Sequence, residues 1–510
     1  MRHRLSSVLL LTSLLAPAIH ASEPWRTKVD PWVLTQAAGK AQAEFLVVLA
    51  EQADVSGARA LSSKEAKGRF VFEKLMATAA RTQGPLLAEL SARGVEHRPY
   101  WIANMIWVRG TAADVAALAN RPDVRRISAN PSVRLELPPT DPFEPLSRVP
   151  AAIEPGVTLI GAPTFWAEGF NGQGVIVAGA DTGYDWDHPA LQGKYRGWNG
   201  ASADHNYNWH DSIHSGGGVC GANAVAPCDD NSHGTHTMGT VLGDDGGTNQ
   251  VGVAPGARWM GCRNMDQGAG TPTTYSECFQ FFLAPTDLTG ANPDPSKSPH
   301  VINNSWGCPD FEGCTDPTVL QTVVENTRAA GIVVVVSAGN SGSSCSTVNT
   351  PAAIYDASFT IGATDNSSNI ANFSSRGPVT VDGSNRMKPD VSAPGASVRS
   401  AVPGTGYGFK SGTSMAAPHV AGMVAVLLSA QPGLAGDVDT IESCIVATAV
   451  PRTSTQTCGG VAGSTIPNNT FGAGRVALVW PLPAACQAAN LIFGDGFETG
   501  DTSAWTLAEP

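Results

Sequence analysis

The chain has 510 residues, a formal net charge of −12, ten cysteines and 42% hydrophobic residues. This length allows about two to four domains, and the apolar content excludes a chain that is mostly disordered. Its acidity, without clusters of Lys and Arg, argues against nucleic acid as the main partner. Its uninterrupted apolar runs fall short of the ~18 residues that a spanning helix needs, so no membrane protein is expected for the mature form.

The amino terminus has the pattern of a secretory signal peptide. Arg2 and Arg4 precede an apolar run at residues 8–18, and small residues at 16–18 and at Ala21 offer cleavage sites. The alternative is a core helix or a retained anchor, but the run is too short to cross a membrane. We therefore predict a signal peptide at residues 1–21 and a secreted protein, either extracellular or in transit through a periplasm.

All ten cysteines lie at or after Cys220. An exported protein meets an oxidising compartment, where an even number of cysteines can pair as disulfides. A cysteine metal cluster is the alternative, and the sequence disfavours it because no C-x-x-C pair occurs. Short spacings suggest the pairs Cys220–Cys228, Cys308–Cys314 and Cys444–Cys458.

Residues 22–137 predict a small domain of their own. Apolar runs at 44–49, 105–108 and 124–137 indicate strands, whereas 64–90 and 111–118 have helical character. This order suggests a split βαβ arrangement, a small ferredoxin-like α+β domain. The domain holds 16 Lys+Arg against 12 Asp+Glu, and residues 138–510 hold 14 against 32, so the two parts can attract each other.

A proline-rich segment at residues 138–156 follows this domain. Proline breaks helices and cannot donate to a strand ladder, so we predict an extended, exposed linker. Exposed linkers are where proteases cut, and a processing site is expected here. At the other end of the chain, residues 481–510 are predicted to form a separate short tail.

Residues 157–480 predict a large α/β domain. Apolar runs at 175–180, 301–302 and 332–336 are typical of parallel strands buried on both faces, and 318–330 indicates an intervening helix. This alternation predicts a mainly parallel sheet with helices on both faces.

Two signatures of the large domain offer a carboxylate and a base. Asp181 ends the run at 175–180, where a carboxylate can orient a histidine. Its Asp-Thr-Gly sequence is also typical of aspartic proteases, but these need two such carboxylates and the chain has one. His233, followed by Gly234, can act as a general base near neutral pH. Zinc held by His233 and His236 is the alternative, but the H-E-x-x-H spacing is missing.

Ser414 supplies the third signature, Gly-Thr-Ser-Met-Ala-Ala-Pro-His, at the predicted start of a buried helix. There its backbone N–H points outward, and the helix dipole favours developing negative charge. An ordinary helix cap is the alternative, and His419 is expected to be structural. Asn340 follows the run at 332–336, where its amide can donate to the oxygen of a tetrahedral intermediate; a turn residue is the alternative.

Together these motifs resemble the subtilase (subtilisin-like, S8) serine proteases over roughly residues 160–480, and the stretches 229–240 and 303–307 resemble the bacillopeptidase F-like branch. The resemblance implies a triad of Asp181, His233 and Ser414, with Asn340 as oxyanion donor. It also implies a secreted serine endopeptidase that acts on proteins or peptides, with residues 22–137 as its inhibitory propeptide, and we expect a monomer. The opposed charges and the exposed linker predict that the precursor cuts itself in or near residues 137–155.

The resemblance also predicts how a substrate peptide binds. Family substrates lie antiparallel beside a segment that here is Ser305, Trp306 and Gly307. The family's side-chain pocket often has Gly at its base, and matching the loop places Asn349 there, which would disfavour large aromatic side chains before the cut. The long segment between the triad's Asp and His is expected to be a solvated, disulfide-closed loop, with substrate or metal contacts as the alternative.

No cofactor is required for this chemistry. Calcium often stiffens the family, and structural calcium is possible here. Its ligands would come from one of two acidic pairs, Asp229–Asp230 or Asp244–Asp245.

Two other functions stay open. A catalytically silent family member would act as a binding or structural protein, and a fluorophosphonate would not label it because only an activated serine reacts. A sedolisin-type serine-carboxyl protease would use Glu in place of His233 and work in acid, so a pH–rate profile separates it from a subtilase.

Overall fold

The computed structural model describes residues 24–135, 137–138 and 152–487. The predicted signal peptide, most of the proline-rich linker and most of the tail lie outside the described residues.

The amino-terminal part is built on a four-stranded antiparallel sheet, which agrees with the predicted α+β domain. Along its central strand, Phe45 and Val47 face one core, and Leu46 and Val48 face another. The strand order is β2-β3-β1-β4. The elements are α1 (Pro31–Gly39), β1 (Ala43–Leu49), α2 (Lys64–Thr82), α3 (Gly84–Ala92), β2 (Glu96–Tyr100), β3 (Met105–Gly110), α4 (Ala112–Ala119), β4 (Val124–Ala129) and β5 (Val133–Arg134).

Two of the elements predicted in this part differ from the structure. The single helix predicted over 64–90 is two helices, because α2 ends at Thr82 and Pro85 occupies the first turn of α3, where its missing N–H costs nothing. The strand predicted over 124–137 ends at Ala129. The chain then continues into β5, which pairs with the large domain and not with its own sheet.

The large part contains the predicted α/β domain. Its seven-stranded sheet has the order β14-β13-β12-β11-β6-β8-β7, and every neighbouring pair is parallel. The elements are α5 (Pro155–Leu159), α6 (Ala162–Ala167), β6 (Ile176–Asp181), β7 (Trp209–Asp211), α7 (His233–Leu242), β8 (Arg258–Arg263), β9 (Met265–Asp266), β10 (Ala269–Gly270), α8 (Pro272–Leu283), β11 (Val301–Asn304), α9 (Gln321–Ala329), β12 (Val333–Ser337), β13 (Phe359–Thr364), β14 (Val391–Pro394), β15 (Val398–Val402), β16 (Gly406–Lys410), α10 (Thr413–Ala430), α11 (Val438–Thr448), β17 (Thr457–Cys458) and β18 (Val461–Ala462).

The sheet separates two hydrophobic cores. Along β12, Val333 and Val335 face the core that contains α7 and α10, and Val334 and Val336 face the core that contains α8 and α9. Burial on both faces explains why the strand is almost all valine. The second core also contains Val71 and other side chains of the amino-terminal domain. That domain therefore packs against the α8–α9 side of the sheet.

Helix α10 is long and apolar enough to span a membrane, judged by length and composition alone. Almost all of it is buried inside the first core. Its apolar character is thus that of a core helix, which the sheet and α7 surround.

All ten cysteines are paired in five disulfides. Two of the three predicted pairs are confirmed, and the prediction of Cys444–Cys458 is wrong. Helix α11 places Cys444 against Cys486, which fastens the start of the predicted tail to the large domain, while β17 brings Cys458 beside a cysteine 113 residues earlier. The pairs are Cys220–Cys228, Cys262–Cys278, Cys308–Cys314, Cys345–Cys458 and Cys444–Cys486.

Candidate active site

The parallel strands end at one edge of the sheet, where the predicted reactive residues lie. Asp181 is the last residue of β6, and Asn340 follows β12, which is two strands away. His233 begins α7 and Ser414 is the second residue of α10, and these two helices pack against each other. The topology thus brings four residues from distant parts of the sequence to the same edge.

Asp181 and His233 form a buried pair. Oδ1 of Asp181 lies 2.7 Å from Nδ1 of His233, and neither side chain is exposed to solvent. The backbone N–H of Thr182 donates to the same carboxylate oxygen, and the Thr237 hydroxyl donates to the other. A carboxylate on Nδ1 holds the proton there and leaves Nε2 as the basic nitrogen. That Nε2 is buried and has no hydrogen-bond partner among the described residues.

Glycine at position 234 allows this close approach. A Cβ on Gly234 would lie 2.0 Å from the carbonyl oxygen of Gly183 and 3.1 Å from Cβ of Asp181. Any larger residue would push the start of α7 away from the end of β6 and separate the imidazole from the carboxylate.

Asp229, which the sequence suggested only as a possible calcium ligand, organises the turn before α7. It accepts hydrogen bonds from the Thr182 hydroxyl (2.8 Å), from the backbone N–H of Ser232 (2.9 Å), and from both the N–H and the hydroxyl of Thr235 (2.9 and 2.6 Å). Ser232 itself has a left-handed backbone, with φ of 74°. These bonds hold the strained turn in place, so His233 is positioned from both sides.

Ser414 and Asn340 line one cavity. The Ser414 hydroxyl donates to the carbonyl oxygen of Ser305 at 3.3 Å. The amide oxygen of Asn340 accepts from the N–H and the hydroxyl of Thr413, at 2.9 and 3.0 Å. Thr413, which the sequence did not single out, therefore fixes which way the Asn340 amide faces. A serine at a helix start beside an amide N–H donor suits the attack on a carbonyl and the binding of the resulting oxyanion.

The subtilase family profile matches residues 172–474, which is more than half of the chain. The chain belongs to the subtilase family. It is 32% identical to bacillopeptidase F of Bacillus subtilis strain 168 in an alignment 492 residues long, which covers 90% of this chain and 32% of that protein. It is 34% identical to subtilisin E of the same strain over 54% of this chain and 61% of that protein. With subtilisin DY of Bacillus licheniformis the identity is 36%, over 55% of this chain and 85% of that protein.

The chain thus corresponds to about a third of the length of bacillopeptidase F and to three-fifths of subtilisin E. Its similarity to bacillopeptidase F extends well beyond the part that matches the family profile.

The residues predicted to contact substrate in this subtilase lie around the cavity. Ser305, Trp306 and Gly307 line it, but they follow β11 and are not part of a strand. Trp306 stacks on Tyr275, with ring centroids 3.9 Å apart. Asn349 is half-buried in the neighbouring loop, and the next residue, Thr350, lines the cavity.

His419 of the subtilase is buried one turn into α10. Its Nδ1 lies 2.9 Å from the carbonyl oxygen of Met415. Burial lowers its pKa to about 4. A neutral histidine that is hydrogen-bonded within its own helix suits a structural role.

The acidic pairs suggested as calcium ligands have protein partners. Asp230 accepts from Arg263 at 3.0 Å, and Asp244 and Asp245 accept backbone N–H groups of the turn that follows them. Within residues 24–135, 137–138 and 152–487, no three His, Cys, Asp or Glu side chains are grouped as metal ligands. These contacts favour a role for the four aspartates in holding loops.

A segment of the subtilase's own chain crosses the cavity. Strand β5 pairs antiparallel with β10, and the N–H of Leu135 donates to the carbonyl oxygen of Gly268 at 2.7 Å. Leu137 and Pro138 then line the cavity together with Ser414. The pairing partner is thus β10, which the sequence did not indicate because a strand of only two residues, between a turn and the start of α8, leaves no pattern.

Proposed function

We propose that this subtilase is a secreted serine endopeptidase that hydrolyses peptide bonds through an acyl-enzyme and is made as a self-processing zymogen. One observation carries the proposal: the buried Asp181–His233 pair lies at the sheet edge that also holds Ser414 and Asn340, where an extended peptide already crosses the cavity. A base, a hydroxyl and an amide donor beside a bound peptide fit acyl transfer.

In the proposed mechanism the Ser414 hydroxyl turns from the Ser305 carbonyl towards His233. Its oxygen attacks the peptide carbonyl carbon while Nε2 of His233 takes the proton, and Asp181 stabilises the resulting imidazolium. The Asn340 amide and the backbone N–H of Ser414 bind the oxyanion. The imidazolium then protonates the leaving amine, and a water molecule, deprotonated by His233, hydrolyses the acyl-enzyme.

We infer that residues 22–137 are the inhibitory propeptide and that residues 157–480 form the catalytic domain. The docking contacts support this assignment. The Tyr100 hydroxyl donates to Glu277 of α8 at 2.7 Å, and the backbone N–H of Trp101 donates to Gln280 at 2.8 Å. At the start of the same helix, Asn130 accepts from Thr273. The segment that crosses the cavity follows directly from this docked domain.

The proposed cut lies within residues 135–138, at the upstream end of the proline-rich linker of residues 138–156. This window is supported by the hydrogen bond that fixes the backbone of Leu135 to Gly268, and by Leu137 and Pro138, which line the same cavity as Ser414. Secretion, through a signal peptide at 1–21, is supported by the pairing of every cysteine.

The full-length chain carrying Ser414→Ala tests the proposal in a host that lacks other proteases. We expect an uncut precursor that hydrolyses no casein and takes up no fluorophosphonate. Ser443→Ala, which removes an exposed hydroxyl on α11, is the matched control and should be cut and labelled like the wild type. A mature amino terminus at residues 136–138 in the Ser414→Ala protein would contradict self-processing.

A further inference from the structure

A short loop between Cys308 and Cys314, here called the rim loop (residues 308–314), borders the cavity that contains Ser414. Both cysteines are buried, and they form a small apolar cluster with Val133 of the segment that crosses the cavity. The rim loop therefore contacts the bound peptide by its disulfide, and its ends are held together at that contact.

Glu312 of the rim loop makes a second contact with this peptide. The backbone N–H of Arg134 donates to both carboxylate oxygens of Glu312, at 3.2 and 3.3 Å. The next N–H, that of Leu135, points the other way and donates to Gly268. Successive N–H groups of an extended chain alternate in direction. A side-chain carboxylate thus stands where a neighbouring strand would normally present a carbonyl oxygen.

The Glu312 carboxylate, in the place of a strand carbonyl, affects which peptides can bind. An N–H donated to a carboxylate is a charge-assisted hydrogen bond, and every residue except proline can supply it. The negative charge of Glu312 also favours a basic side chain at that position and disfavours an acidic one. The residue that the chain itself places there is Arg134.

We propose that Glu312 is a specificity-determining residue, which binds the main-chain N–H of the substrate residue at the position of Arg134 and selects basic over acidic side chains there. The inference rests on the proposed function, because substrates are taken to lie where residues 133–135, 137 and 138 lie. It adds to that function a side-chain preference at the substrate residue that takes the position of Arg134, upstream of the cut. The carboxylate of Glu312, on the disulfide-closed rim loop, sets this preference.

The test uses mature enzyme and synthetic peptides that copy residues 131–140, with Arg, Ala, Asp or N-methylalanine at position 134. For the wild type we expect kcat/KM for the Arg peptide to exceed that for the Asp peptide about tenfold, because the two side chains carry opposite charges beside the Glu312 carboxylate. N-methylalanine, which lacks the N–H, should reduce kcat/KM about tenfold relative to Ala, as expected for the loss of one hydrogen bond to a charged group. Both differences should lie mainly in KM, because this position is remote from the reacting atoms.

Glu312→Gln should reduce both preferences to within about twofold, and Asp310→Asn, which removes an exposed carboxylate from the same loop, should leave them unchanged. Raising the salt concentration on the wild-type enzyme should weaken the Arg-over-Asp preference, a readout that does not depend on how well a variant folds. Equal cleavage of the Arg and Asp peptides by the wild type would overturn the inference alone. Failure of the mature enzyme to cleave any peptide would overturn the proposed function as well.

Discussion

The hydroxyl of Tyr100 offers a quantitative test of how the amino-terminal domain is held. It donates to Oε2 of Glu277, whose other oxygen accepts from His210 and His214, each at 2.8 Å. Tyr100 and Glu277 are both buried. Tyr100→Phe removes one hydrogen bond to a buried charged acceptor, which typically costs ~1.5–3 kcal/mol. We therefore expect the domain to inhibit the mature enzyme ~10- to 150-fold less tightly.

The assay is the inhibition constant of residues 22–137 added to mature enzyme, with a small chromogenic peptide as substrate. Glu277→Gln in the enzyme completes a double-mutant cycle, because in that background Tyr100→Phe no longer removes a charge-assisted bond. The expected coupling is most of the ~1.5–3 kcal/mol. If the two substitutions add to within ~0.5 kcal/mol, the contact does not hold the domain and the reasoning is refuted.

Two further predictions concern stability. Burial lowers the pKa of His419 to about 4, so as the pH falls the unfolded chain binds a proton at this histidine before the folded protein does. The free energy of unfolding should therefore fall by up to ~1.4 kcal/mol per pH unit between pH ~6.5 and 4, and His419 should cause no loss above pH ~6.5. Urea unfolding at several pH values measures this slope, and His419→Gln should show a smaller one; an unchanged slope would contradict the assignment. Replacing Cys345 and Cys458 by Ser opens a loop of 113 residues, whereas replacing Cys220 and Cys228 opens one of 8. Because a longer loop gains more entropy in the unfolded chain, loss of the first disulfide should lower the free energy of unfolding by ~2 kcal/mol more than loss of the second. A higher melting temperature for the variant without Cys345–Cys458 than for the one without Cys220–Cys228 would refute this.

The parts of the fold that could be predicted are those with a local cause. A run such as Val333–Ser337 has a composition that suits burial on both faces, and its periodicity needs no knowledge of its neighbours. The break at Pro85 also has a local cause, and the long helical pattern around it concealed the break. The pairing of Cys444 with Cys486 has no local cause, because it depends on where the fold places α11 relative to the end of the domain.

The same distinction between local and long-range causes applies to the residues of the candidate active site. Asp181, His233 and Ser414 stand in motifs that are specific when they occur together. Glu277 and Glu312 stand in ordinary sequence, and their partners, Tyr100 and Arg134, are 177 and 178 residues away. A contact between two parts of the fold that are so distant along the chain leaves no local pattern, so it could be found only from the structure.

Helix α8 connects the two ways in which the amino-terminal domain is attached. Glu277 of this helix holds Tyr100, and its first turn, where Asn130 accepts the N–H of Thr273, follows directly after β10, which pairs with the segment crossing the cavity. Cutting within residues 135–138 would break one covalent link but none of these contacts. The domain should therefore remain docked after the cut, and activity should appear only when the contacts with α8 are lost. Under the proposed function, processing and activation are therefore expected to be two separate steps, and Tyr100→Phe should shorten the interval between them.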